Sequence, residues 1–365
     1  MEKKILMITS TSKLGGGPKQ LMLLAEGIKD IYNVNIACPA NGEINSYLFR
    51  CVSGELISIK ERKLSFLDLI RLILFVKKFS ISIIHSHGKA ASILGRFTSL
   101  LTGVPLIHTF HGIHIDKIPK LSRLIYIFYE RLTSFIDFYD IFVSNTECLE
   151  ASKYSLINHN KYFIIPNGVP NHHISIDSIS NIDNLRENLH IPITRTTIIT
   201  LCRLEKIKNL FEFINIAALC PKYNFLIVGG GDLEKDLKEY ILNLNLKNII
   251  LTGYISNPIN YLLASDIYLS TSFREGHPIS ILEAMSIALP VIASDVTGNK
   301  DTIIHGKSGF FYKLGSTYNA SNYIHMLVQN KMLRRRLGKE ALAQQRQSFS
   351  SDSMVSTYLK IYASL

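Results

Sequence analysis

The chain has 365 residues, of which 47% are hydrophobic and 19% are charged. This composition excludes a disordered chain, and the length exceeds what one hydrophobic core usually supports, so two domains are expected. Basic residues outnumber acidic residues by 40 to 29, with most of the excess in the first half. Such an excess fits nucleic acid, an anionic membrane face or a phosphorylated substrate as a partner, and it fits a solvated surface equally well. The five cysteines are scattered and form no CxxC pair, which disfavours a disulfide framework or a zinc site and fits a reducing cytoplasm.

Short runs rich in Ile and Val alternate with longer segments of helical period in the first half of the chain. Such alternation predicts βαβ units and a parallel sheet that is covered on both faces. The N-terminal apolar run is too short for a signal peptide and is the first predicted strand. No uncharged run is long enough to span a bilayer, and residues 64–76 and 121–138 are predicted to be amphipathic. The predicted strands of this half are residues 4–9, 34–38, 81–85, 106–110, 141–144 and 163–165.

The composition changes after residue 169. Residues 170–184 are rich in Asn, Ser, His and Ile without periodicity, which indicates a connection between domains. A final helix is predicted over residues 352–365, with Asp352 as its N-cap. The strands predicted between these two segments are residues 196–201, 225–228, 249–252, 267–270 and 291–293. The predicted organisation is an N-terminal domain over 1–170, a C-terminal domain over 171–350 and a C-terminal helix over 351–365.

Two glutamates, Glu275 and Glu283, bracket the predicted start of a helix. Pro278 suits the first helical position, which places Glu283 in the second turn. The backbone N–H groups of the first turn can bind a phosphate with the help of the helix dipole. Those N–H groups belong to Ile279, Ser280 and Ile281. Because carboxylates would repel a phosphate, the two glutamates are predicted to accept hydrogen bonds from sugar and ribose hydroxyls. Taken alone, the pair would be two surface glutamates at a helix start.

Arg203 and Lys208 follow the predicted strand over residues 196–201. An Arg that forks two oxygens and a Lys that acts as a point charge could together neutralise a diphosphate without a metal. An exposed basic loop is the alternative reading of this pair.

Two glycine triplets also follow predicted strands, at residues 15–17 and 229–231. Glycine lets the backbone approach a phosphate or a sugar closely, although either triplet could be a flexible loop. Neither triplet has the spacing of a dinucleotide fingerprint, which disfavours a dinucleotide-dependent oxidoreductase.

Histidines cluster near two predicted strands of the first half. His85 and His87 are predicted to follow one strand, and His108, His111 and His114 surround the next. A metal site is disfavoured because no partnering cysteine or Asp-x-Asp motif accompanies them. His85 and His108 are predicted to be hydrogen-bonded histidines at a sheet edge. His111 precedes Gly112 at a strand end, where it could face the ligand-binding edge.

In combination, these motifs resemble glycosyltransferase family 4, the group 1 glycosyltransferases. The resemblance covers nearly the whole chain. It implies a GT-B fold, in which two Rossmann-like parallel-sheet domains face each other across a cleft, and a final helix that crosses back onto the first domain. The matching motifs are Glu275-Gly276-x-Pro278-x4-Glu283-Ala284-Met285 with residues 289–295 after it, the N-terminal glycine loop, His108-Thr109-Phe110-His111-Gly112, Ile165-Pro166-Asn167-Gly168-Val169, Arg203-Leu204-x3-Lys208-Asn209, Val228-Gly229-x-Gly231 and Leu251-x-Gly253-Tyr254.

The resemblance also implies roles for single residues, position by position. Glu275 would contact the donor sugar, and His111 would sit near the reacting carbon and the 6-position of that sugar. Glu283 would bind the ribose hydroxyls, and Tyr254 would lie beside the base through its backbone. The implied diphosphate contacts are Gly16, Gly17, Arg203, Lys208, Ile279 and Ser280. The candidate acceptor contacts are His87, Lys89 and Asn167.

Two positions depart from the family pattern. Cys202 stands where the family usually has Gly before the Arg, and Gly298-Asn299-Lys300-Asp301 replaces the common Gly-Gly-x-x-Glu. Neither departure removes a charged residue that would contact the nucleotide-sugar donor, but the second leaves the identity of the donor sugar undetermined.

The predicted function is transfer of a sugar, with retention, from a nucleotide sugar to a saccharide acceptor. The expected nucleotide is UDP, and no metal or other cofactor is expected. The expected acceptor is lipid-linked, as in the assembly of bacterial capsule, O-antigen or exopolysaccharide. A cytoplasmic enzyme at the inner face of the membrane would fit the basic amphipathic segments, which could equally be ordinary core-facing helices. The alternatives are a nucleotide-sugar epimerase on the same scaffold and a non-catalytic binding protein. Nucleic-acid binding is disfavoured, because the basic residues are not clustered with aromatics.

Overall fold

The structure is a computed structural model that describes residues 3–13, 15–40, 42, 44–61, 63, 65–113, 115, 119–157, 162–172 and 182–365. Its contacts divide the chain into two compact units. Unit 1 comprises Met1–Gly168 and Ser351–Leu365, and unit 2 comprises Val169–Ser350. Each unit is built on one parallel sheet.

The sheet of unit 1 reverses its strand order between two central strands. Its strands are β1 (Lys4–Thr9), β2 (Asn33–Cys38), β3 (Leu56–Ser58), β4 (Ile83–His87), β5 (Leu106–Thr109), β6 (Asp137–Phe142) and β7 (Tyr162–Ile164). They pair in parallel in the order β3-β2-β1-β4-β5-β6-β7. The reversal lies between β1 and β4, and parallel sheets bind ligands beyond the carboxyl ends of such strands. The short strand β3 was not predicted, because its three residues carry too little of the Val and Ile pattern.

Helices connect these strands. They are α1 (Gly16–Ile28), α2 (Asn45–Cys51), α3 (Phe66–Phe79), α4 (Lys89–Thr102), α5 (Lys120–Thr133) and α6 (Asn145–Lys153). The hydroxyl of Ser65 caps α3 by accepting a hydrogen bond from the backbone of Asp68, and Ser144 caps α6 in the same way. Leu21, Leu24 and Ile28 of α1 are fully buried in one apolar core with the central strands.

Unit 2 has a sheet of similar topology. Its strands are β8 (Thr197–Leu201), β9 (Asn224–Val228), β10 (Ile249–Gly253), β11 (Ile267–Ser270), β12 (Val291–Ser294) and β13 (Gly309–Tyr312). They pair in parallel in the order β10-β9-β8-β11-β12-β13, which reverses between β8 and β11. Strand β13 was not predicted, because it opens on Gly309, which looks like a turn residue. A Cβ at Gly309 would come within 2.4 Å of the carbonyl oxygen of Val291, so the close strand pairing requires this glycine.

The helices of unit 2 alternate with its strands and then follow the sheet. They are α7 (Ile182–Asn188), α8 (Leu210–Leu219), α9 (Glu234–Asn243), α10 (Ile259–Leu263), α11 (Ile279–Ser286), α12 (Asn299–Thr302), α13 (Thr317–Gln329) and α14 (Lys331–Ser348). Helix α7 begins inside the segment that was predicted to be a connection, and residues 173–181 of that segment lie outside the described residues.

The last helix, α15 (Ser351–Ala363), belongs to unit 1. Tyr358 and Tyr362 are fully buried in the same core as α1. A Cβ at Gly27 would lie 2.5 Å from Cγ2 of Val355, so a larger residue would push α1 and α15 apart. The helix starts one residue earlier than predicted, which places Asp352 in its first turn rather than at the N-cap.

The predicted fold class, two Rossmann-like parallel-sheet domains of the GT-B type, is confirmed. Some strand ends were wrong. Residues 81 and 82 precede β4 because Ser80 ends α3 in a left-handed conformation and Ile81 donates back to the carbonyl of Val76. His85 and His87 therefore lie within β4 and not after it.

Strand β6 begins earlier than predicted, so residues 121–138 are not one amphipathic segment. Its Asp137 is buried and is neutralised by Arg96, whose Nε lies 3.0 Å from a carboxylate oxygen of Asp137. An aspartate normally argues against a buried strand, but a buried ion pair permits it here.

Candidate active site

An ion pair stands at the carboxyl edge of the unit 2 sheet. Lys208 closes a single 3-10 turn after β8, and Glu275 lies in the loop after β11. The Lys208 Nζ is 2.6 Å from Oε1 of Glu275, and the hydroxyl of Ser272 donates to the same oxygen at 2.6 Å. The two charged side chains are 18% and 12% exposed. Burial alone would lower the pKa of Lys208, but the Glu275 carboxylate outweighs it and raises that pKa, so the ammonium stays charged.

The loops that carry this ion pair are joined by hydrogen bonds. The Thr271 hydroxyl donates to the carbonyl oxygens of Lys208 at 3.0 Å and Asn209 at 3.1 Å. The Phe273 N–H donates to the carbonyl of Ile207 at 2.9 Å. The position of Lys208 relative to Glu275 is therefore fixed by the backbone as well as by the charges.

A third loop supports Glu275 from behind. The Glu275 N–H donates to the carbonyl of Thr297 at 3.1 Å. Gly298 has φ +84°, and a Cβ there would lie 2.5 Å from the carbonyl oxygen of Glu275. Gly298, the first residue of the segment 298–301 that departs from the family pattern, thus packs directly against the Glu275 backbone, and a glycine is required at this position.

Arg203 is engaged separately from Lys208. Its Nη1 lies 2.5 Å from Oε1 of Glu205, and both side chains are about one third exposed. The second glycine triplet packs under this loop, since a Cβ at Gly229 would lie 1.9 Å from the carbonyl oxygen of Cys202 and one at Gly231 would lie 2.8 Å from Leu204. These contacts explain that triplet by close backbone packing. Binding of a diphosphate by Arg203 and Lys208 together stays a prediction.

Helix α11 begins at Ile279, so Pro278 occupies the N-cap position and not the first helical position as predicted. The Ile281 N–H donates to the carbonyl of Pro278 at 3.1 Å, which removes one of the three N–H groups that were predicted to be available. Glu283 lies in the second turn, as predicted, and is partly exposed. Tyr254, directly after β10, is 45% exposed.

In unit 1 the structure brings three of the predicted residues together. His87 lies at the end of β4, and His111 follows β5. Nδ1 of His87 is 3.2 Å from Nε2 of His111, and a Cβ at Gly17 would be 3.1 Å from the His111 ring. The first turn of α1, which begins at Gly16, therefore packs against the His111 imidazole. His114 lies outside the described residues.

These histidines are uncharged. Burial lowers the pKa of His111 to about 4 and that of His85 to about 3. Burial also lowers the pKa of His87 far below its usual value, with a further contribution from the neighbouring histidines. The cluster is therefore neutral at pH 7, and its hydrogen bonds depend on tautomers rather than on charge.

The loop after His111 is held by two charged side chains. The Lys89 ammonium donates to the carbonyl of Ile113 and lies 4.4 Å from the centre of the Tyr126 ring. Oε1 of Glu147 accepts from the N–H of Gly112 at 2.5 Å, where the backbone has φ +104°. Burial raises the pKa of Glu147 to about 7. Lys89 thus supports this loop, while its predicted contact with an acceptor stays a prediction, as does that of the buried Asn167.

Two family models match the chain, and together they span most of it. The one for "Glycosyltransferase Family 4" matches residues 14–172, and the one for "Glycosyl transferases group 1" matches residues 181–344. The chain belongs to the family 4, group 1 glycosyltransferases.

Two bacterial relatives match this glycosyltransferase over most of their length. A UDP-Gal:alpha-D-GlcNAc-diphosphoundecaprenol alpha-1,3-galactosyltransferase from Escherichia coli is 29% identical in an alignment that covers 90% of this chain and 91% of the relative. The capsular polysaccharide biosynthesis glycosyltransferase CapM from Staphylococcus aureus is 24% identical and matches 80% of this chain and 81% of its own. Among solved structures, Anabaena HepE in complex with UDP and glucose aligns with a TM-score of 0.84 at 20% identity, with full coverage of both chains.

Two residues that contact the candidate site were not predicted from the sequence. Ser272 lies three residues before Glu275, and only its position between a strand and that glutamate could have indicated a contact. Glu147 had a clearer signal, because Ser144-x-x-Glu147 has the sequence pattern of a capping box, and the Ser144 hydroxyl accepts from the Glu147 N–H at the start of α6. The second carboxylate oxygen of Glu147 accepts from the N–H of Val143, the residue before the cap, at 2.8 Å, so one carboxylate joins the end of β6 to the His111 loop.

Two features of the described residues concern the predicted cofactors and membrane contact of this glycosyltransferase. In the described part of the chain, no group of three or more His, Cys, Asp or Glu side chains is arranged to hold a metal ion. No helix within the described ranges is both long and apolar enough to cross a bilayer.

Proposed function

We propose that this glycosyltransferase moves a sugar, with retention, from a UDP-sugar to a lipid-linked saccharide in the assembly of a bacterial surface polysaccharide. The observation that carries the proposal is the Lys208–Glu275 ion pair with Ser272 at the carboxyl edge of the unit 2 sheet. A permanent positive charge beside a carboxylate suits a ligand that has both phosphate oxygens and sugar hydroxyls.

The donor half of the proposal rests on unit 2. The Lys208 ammonium has three N–H groups and donates one of them to Glu275. The other two can donate to diphosphate oxygens. Lys208, Arg203 and the N–H groups of Ile279 and Ser280 would stabilise the charge that develops on the departing diphosphate. Gly16 and Gly17 remain proposed backbone contacts of unit 1 with the same group.

The reaction would proceed by attack on the face that the diphosphate leaves. The bond from the anomeric carbon to the diphosphate oxygen breaks, and a bond from that carbon to an acceptor hydroxyl oxygen forms. The hydroxyl proton passes to the leaving diphosphate. A neutral His111 fits a hydrogen-bonding role toward the sugar better than a role as a cation. No metal is required by this scheme, and the charge is supplied by Lys208 and Arg203.

UDP is proposed as the nucleotide because the Escherichia coli relative is named for UDP-Gal and Anabaena HepE was solved with UDP. A lipid-linked acceptor is proposed because the same relative is named for a diphosphoundecaprenol saccharide. The ribose would be bound by Glu283, and the base would lie beside the backbone of Tyr254.

A peripheral place on the inner face of the membrane is part of the proposal, supported by the surface of α5. This helix exposes an apolar face beside Lys120, Arg123 and Arg131. The apolar side chains, each more than half exposed, are Leu121, Leu124, Ile125, Phe128 and Leu132. A basic helix with such a face can lie on an anionic bilayer.

A donor screen tests the proposal. The purified chain is incubated with a panel of nucleotide sugars and an undecaprenyl-diphosphate-linked saccharide in phosphatidylglycerol vesicles, and products are identified by mass spectrometry. One UDP-sugar should yield a glycosylated lipid, and NMR of the new linkage should show the anomeric configuration of the donor. An epimerised free nucleotide sugar without transfer would instead establish the epimerase alternative, and an inverted linkage would refute retention.

Vesicle sedimentation at low salt tests the membrane contact. The Leu124→Ser/Phe128→Ser double variant should bind phosphatidylglycerol vesicles several-fold less tightly than the wild type. The matched control is Leu242→Ser, since Leu242 is equally exposed but lies on α9 of unit 2. Equal binding by all three proteins, or no binding by the wild type, would refute the membrane contact.

A further inference from the structure

A buried hydrogen-bond chain links the last helix to the central strand β4. Nε2 of Gln20 donates to the Tyr358 hydroxyl at 2.9 Å, and that hydroxyl lies 3.2 Å from Oγ1 of Thr109. Thr109 Oγ1 is 2.8 Å from Nε2 of His85, whose Nδ1 is 2.6 Å from the Tyr362 hydroxyl. All five side chains are fully buried. The last helix thus contacts both ring nitrogens of His85, one directly and one through Thr109.

The side chains of this hydrogen-bond network lie in an apolar environment. Its members lie among fully buried residues such as Met7, Leu21 and Ile107. Buried polar groups are unfavourable unless they are hydrogen-bonded, and apolar side chains of similar volume would fill the same space. A hydrogen-bonded polar network in such a core holds its members in one arrangement, and here Oε1 of Gln20 is its one oxygen without a partner among the described residues. In this core the network fixes the orientation of the His85 ring.

The hydrogen bonds can run in either of two directions. In the first, Gln20 donates to Tyr358, Tyr358 to Thr109 and Thr109 to Nε2 of His85, and the imidazole proton on Nδ1 is donated to the Tyr362 oxygen. In the second, Tyr362 donates to Nδ1, and the proton on Nε2 is donated to Thr109. Both directions bond both ring nitrogens, so the network fixes the orientation of His85 and couples its tautomer to the two tyrosine hydroxyls.

His85 in turn contacts the histidines of the candidate site. His85 and His87 are two residues apart in β4, so their side chains lie on the same face of the sheet, and their ring centres are 4.1 Å apart. His87 contacts His111 through the hydrogen bond from Nδ1 to Nε2. Both rings are nearly parallel, at 17°. A change in the orientation of His85 would therefore move His87 and, with it, His111.

The tautomer of His111 follows from His87. Nε2 of His87 is buried and has no hydrogen-bond partner among the described residues. A buried N–H without an acceptor is rarer in proteins than a bare acceptor, so the His87 proton belongs on Nδ1. Nδ1 then donates to Nε2 of His111. His111 is left with an N–H at Nδ1, which can be donated to a sugar oxygen.

We propose that Tyr358 and Tyr362 of the last helix are positioning residues, which hold His85, and through it His87 and His111, in the orientation and tautomer that sugar transfer needs. This inference rests on the proposed function, because the contact of His111 with the donor sugar belongs to that proposal. Neither tyrosine touches substrate in this scheme.

Variants that delete single hydroxyl groups test the inference. Tyr362→Phe removes the hydroxyl at His85 Nδ1, and Thr109→Val removes the hydroxyl at Nε2 without changing the shape of the side chain. Each should lower kcat about tenfold and leave the KM for the donor unchanged, because only the alignment of His111 is lost. Thr109→Ser restores the hydroxyl and should restore kcat. The matched control is Tyr32→Phe. The centre of the Tyr32 ring lies 5.8 Å from that of the Tyr362 ring, but the Tyr32 hydroxyl does not belong to the hydrogen-bond network.

Histidine NMR separates positioning from a loss of stability. The ring 15N resonances of His85 and His111, assigned with His→Gln variants, are compared in the substrate-free proteins. They should shift in Tyr362→Phe and in Thr109→Val and stay in place in Tyr32→Phe. Unchanged His111 resonances, or a wild-type kcat in both hydroxyl-deletion variants, would overturn the inference. A wild-type protein that transfers no sugar would refute the proposed function alone, and the His111 resonances would then decide the coupling.

Discussion

The carboxyl edges of the two sheets carry polar clusters of different kinds. In unit 2, Lys208 and Glu275 form an ion pair at 2.6 Å, and both side chains keep some contact with solvent. In unit 1, His87 and His111 share a hydrogen bond at 3.2 Å, and burial keeps both rings neutral. A formal charge is tolerated where water or a partner compensates it, whereas a neutral imidazole such as that of His87 can be buried without a countercharge; the His111 side chain is partly buried.

This difference matches the two tasks of a sugar transfer. In the proposed reaction, the departing nucleoside diphosphate needs a positive charge that does not depend on pH, and the Lys208 ammonium, whose pKa is raised by Glu275, would provide one. Hydroxyl groups of a sugar need donors and acceptors in fixed directions, which neutral rings with defined tautomers provide. The comparison predicts that substitutions that remove a charge in unit 2 lower the rate of sugar transfer far more than substitutions that remove a hydroxyl group in unit 1.

The largest effect is expected for Lys208→Met. Loss of the ammonium removes charge stabilisation of the leaving diphosphate, and kcat/KM should fall by about 100- to 1,000-fold. Steady-state kinetics with the donor and acceptor found in the screen measure the change. Lys206→Met is the matched control, since Lys206 lies in the same turn but is exposed, and it should stay within about twofold of the wild type. An equal loss in both variants would show that the turn, rather than the Lys208 charge, is needed.

In unit 1, the buried carboxyl group of Glu147 should make the free energy of unfolding depend on pH. Its pKa is raised from 4.5 to about 7, chiefly by burial. Between these values the folded chain holds a proton that the unfolded chain has released, so the free energy of unfolding falls as the pH rises from 4.5 to 7. The loss should reach about 3 kcal/mol and persist above pH 7.

Urea unfolding at pH 5 and pH 8 measures that loss. Glu147→Gln cannot titrate, so the stability of the wild type relative to this variant should be greater at pH 5 than at pH 8. The control is Glu55→Gln, because Glu55 is exposed in the same unit, and a substitution at an exposed side chain should change the free energy of unfolding little. A constant difference between Glu147→Gln and the wild type would mean that Glu147 is already ionised at pH 5.

The sequence was sufficient for the fold class, because alternating strand and helix patterns survive in both halves. It also placed Lys208 and Glu275 after β8 and β11, where parallel strands bring ligand-binding residues together. It did not reveal the Thr109–His85–Tyr362 contacts, since they join residues up to 277 positions apart. Such contacts follow from tertiary packing of the last helix, and local patterns carry no record of them.

The errors have a common physical origin. The strand containing His85 and His87 was set two residues too early, because the helix cap at Ser80 is visible only in its left-handed backbone. The start of β6 was missed because an unpaired aspartate disfavours a buried strand, and Arg96, which pairs with it, lies on another element. In both cases a feature that the local pattern does not show, a left-handed backbone at Ser80 or a distant partner for Asp137, overrode the local preference.

Recognition of the nucleoside in unit 2 should be sensitive to Glu283→Gln. An amide accepts hydrogen bonds from ribose hydroxyls less strongly than a carboxylate does, so the donor KM should rise by about 10- to 50-fold with little change in kcat. Glu239→Gln on the exposed side of α9 is the control and should leave the KM unchanged. A fall in kcat with a normal KM would move Glu283 from nucleoside binding to the reacting end of the donor.

The smallest effect is expected where the loops of unit 2 are joined. Thr271→Val deletes the hydroxyl that donates to the carbonyls of Lys208 and Asn209, and it keeps the shape of a side chain that is 1% exposed. The free energy of unfolding should fall by about 1 kcal/mol, because two carbonyl oxygens lose a donor. Urea unfolding of Thr271→Val and Thr271→Ser measures it, and the serine variant should lie close to the wild type. If the serine variant is destabilised and the valine variant is not, methyl packing, and not the hydrogen bonds, holds the Lys208 loop; if neither is destabilised, the ion pair with Glu275 suffices to place Lys208.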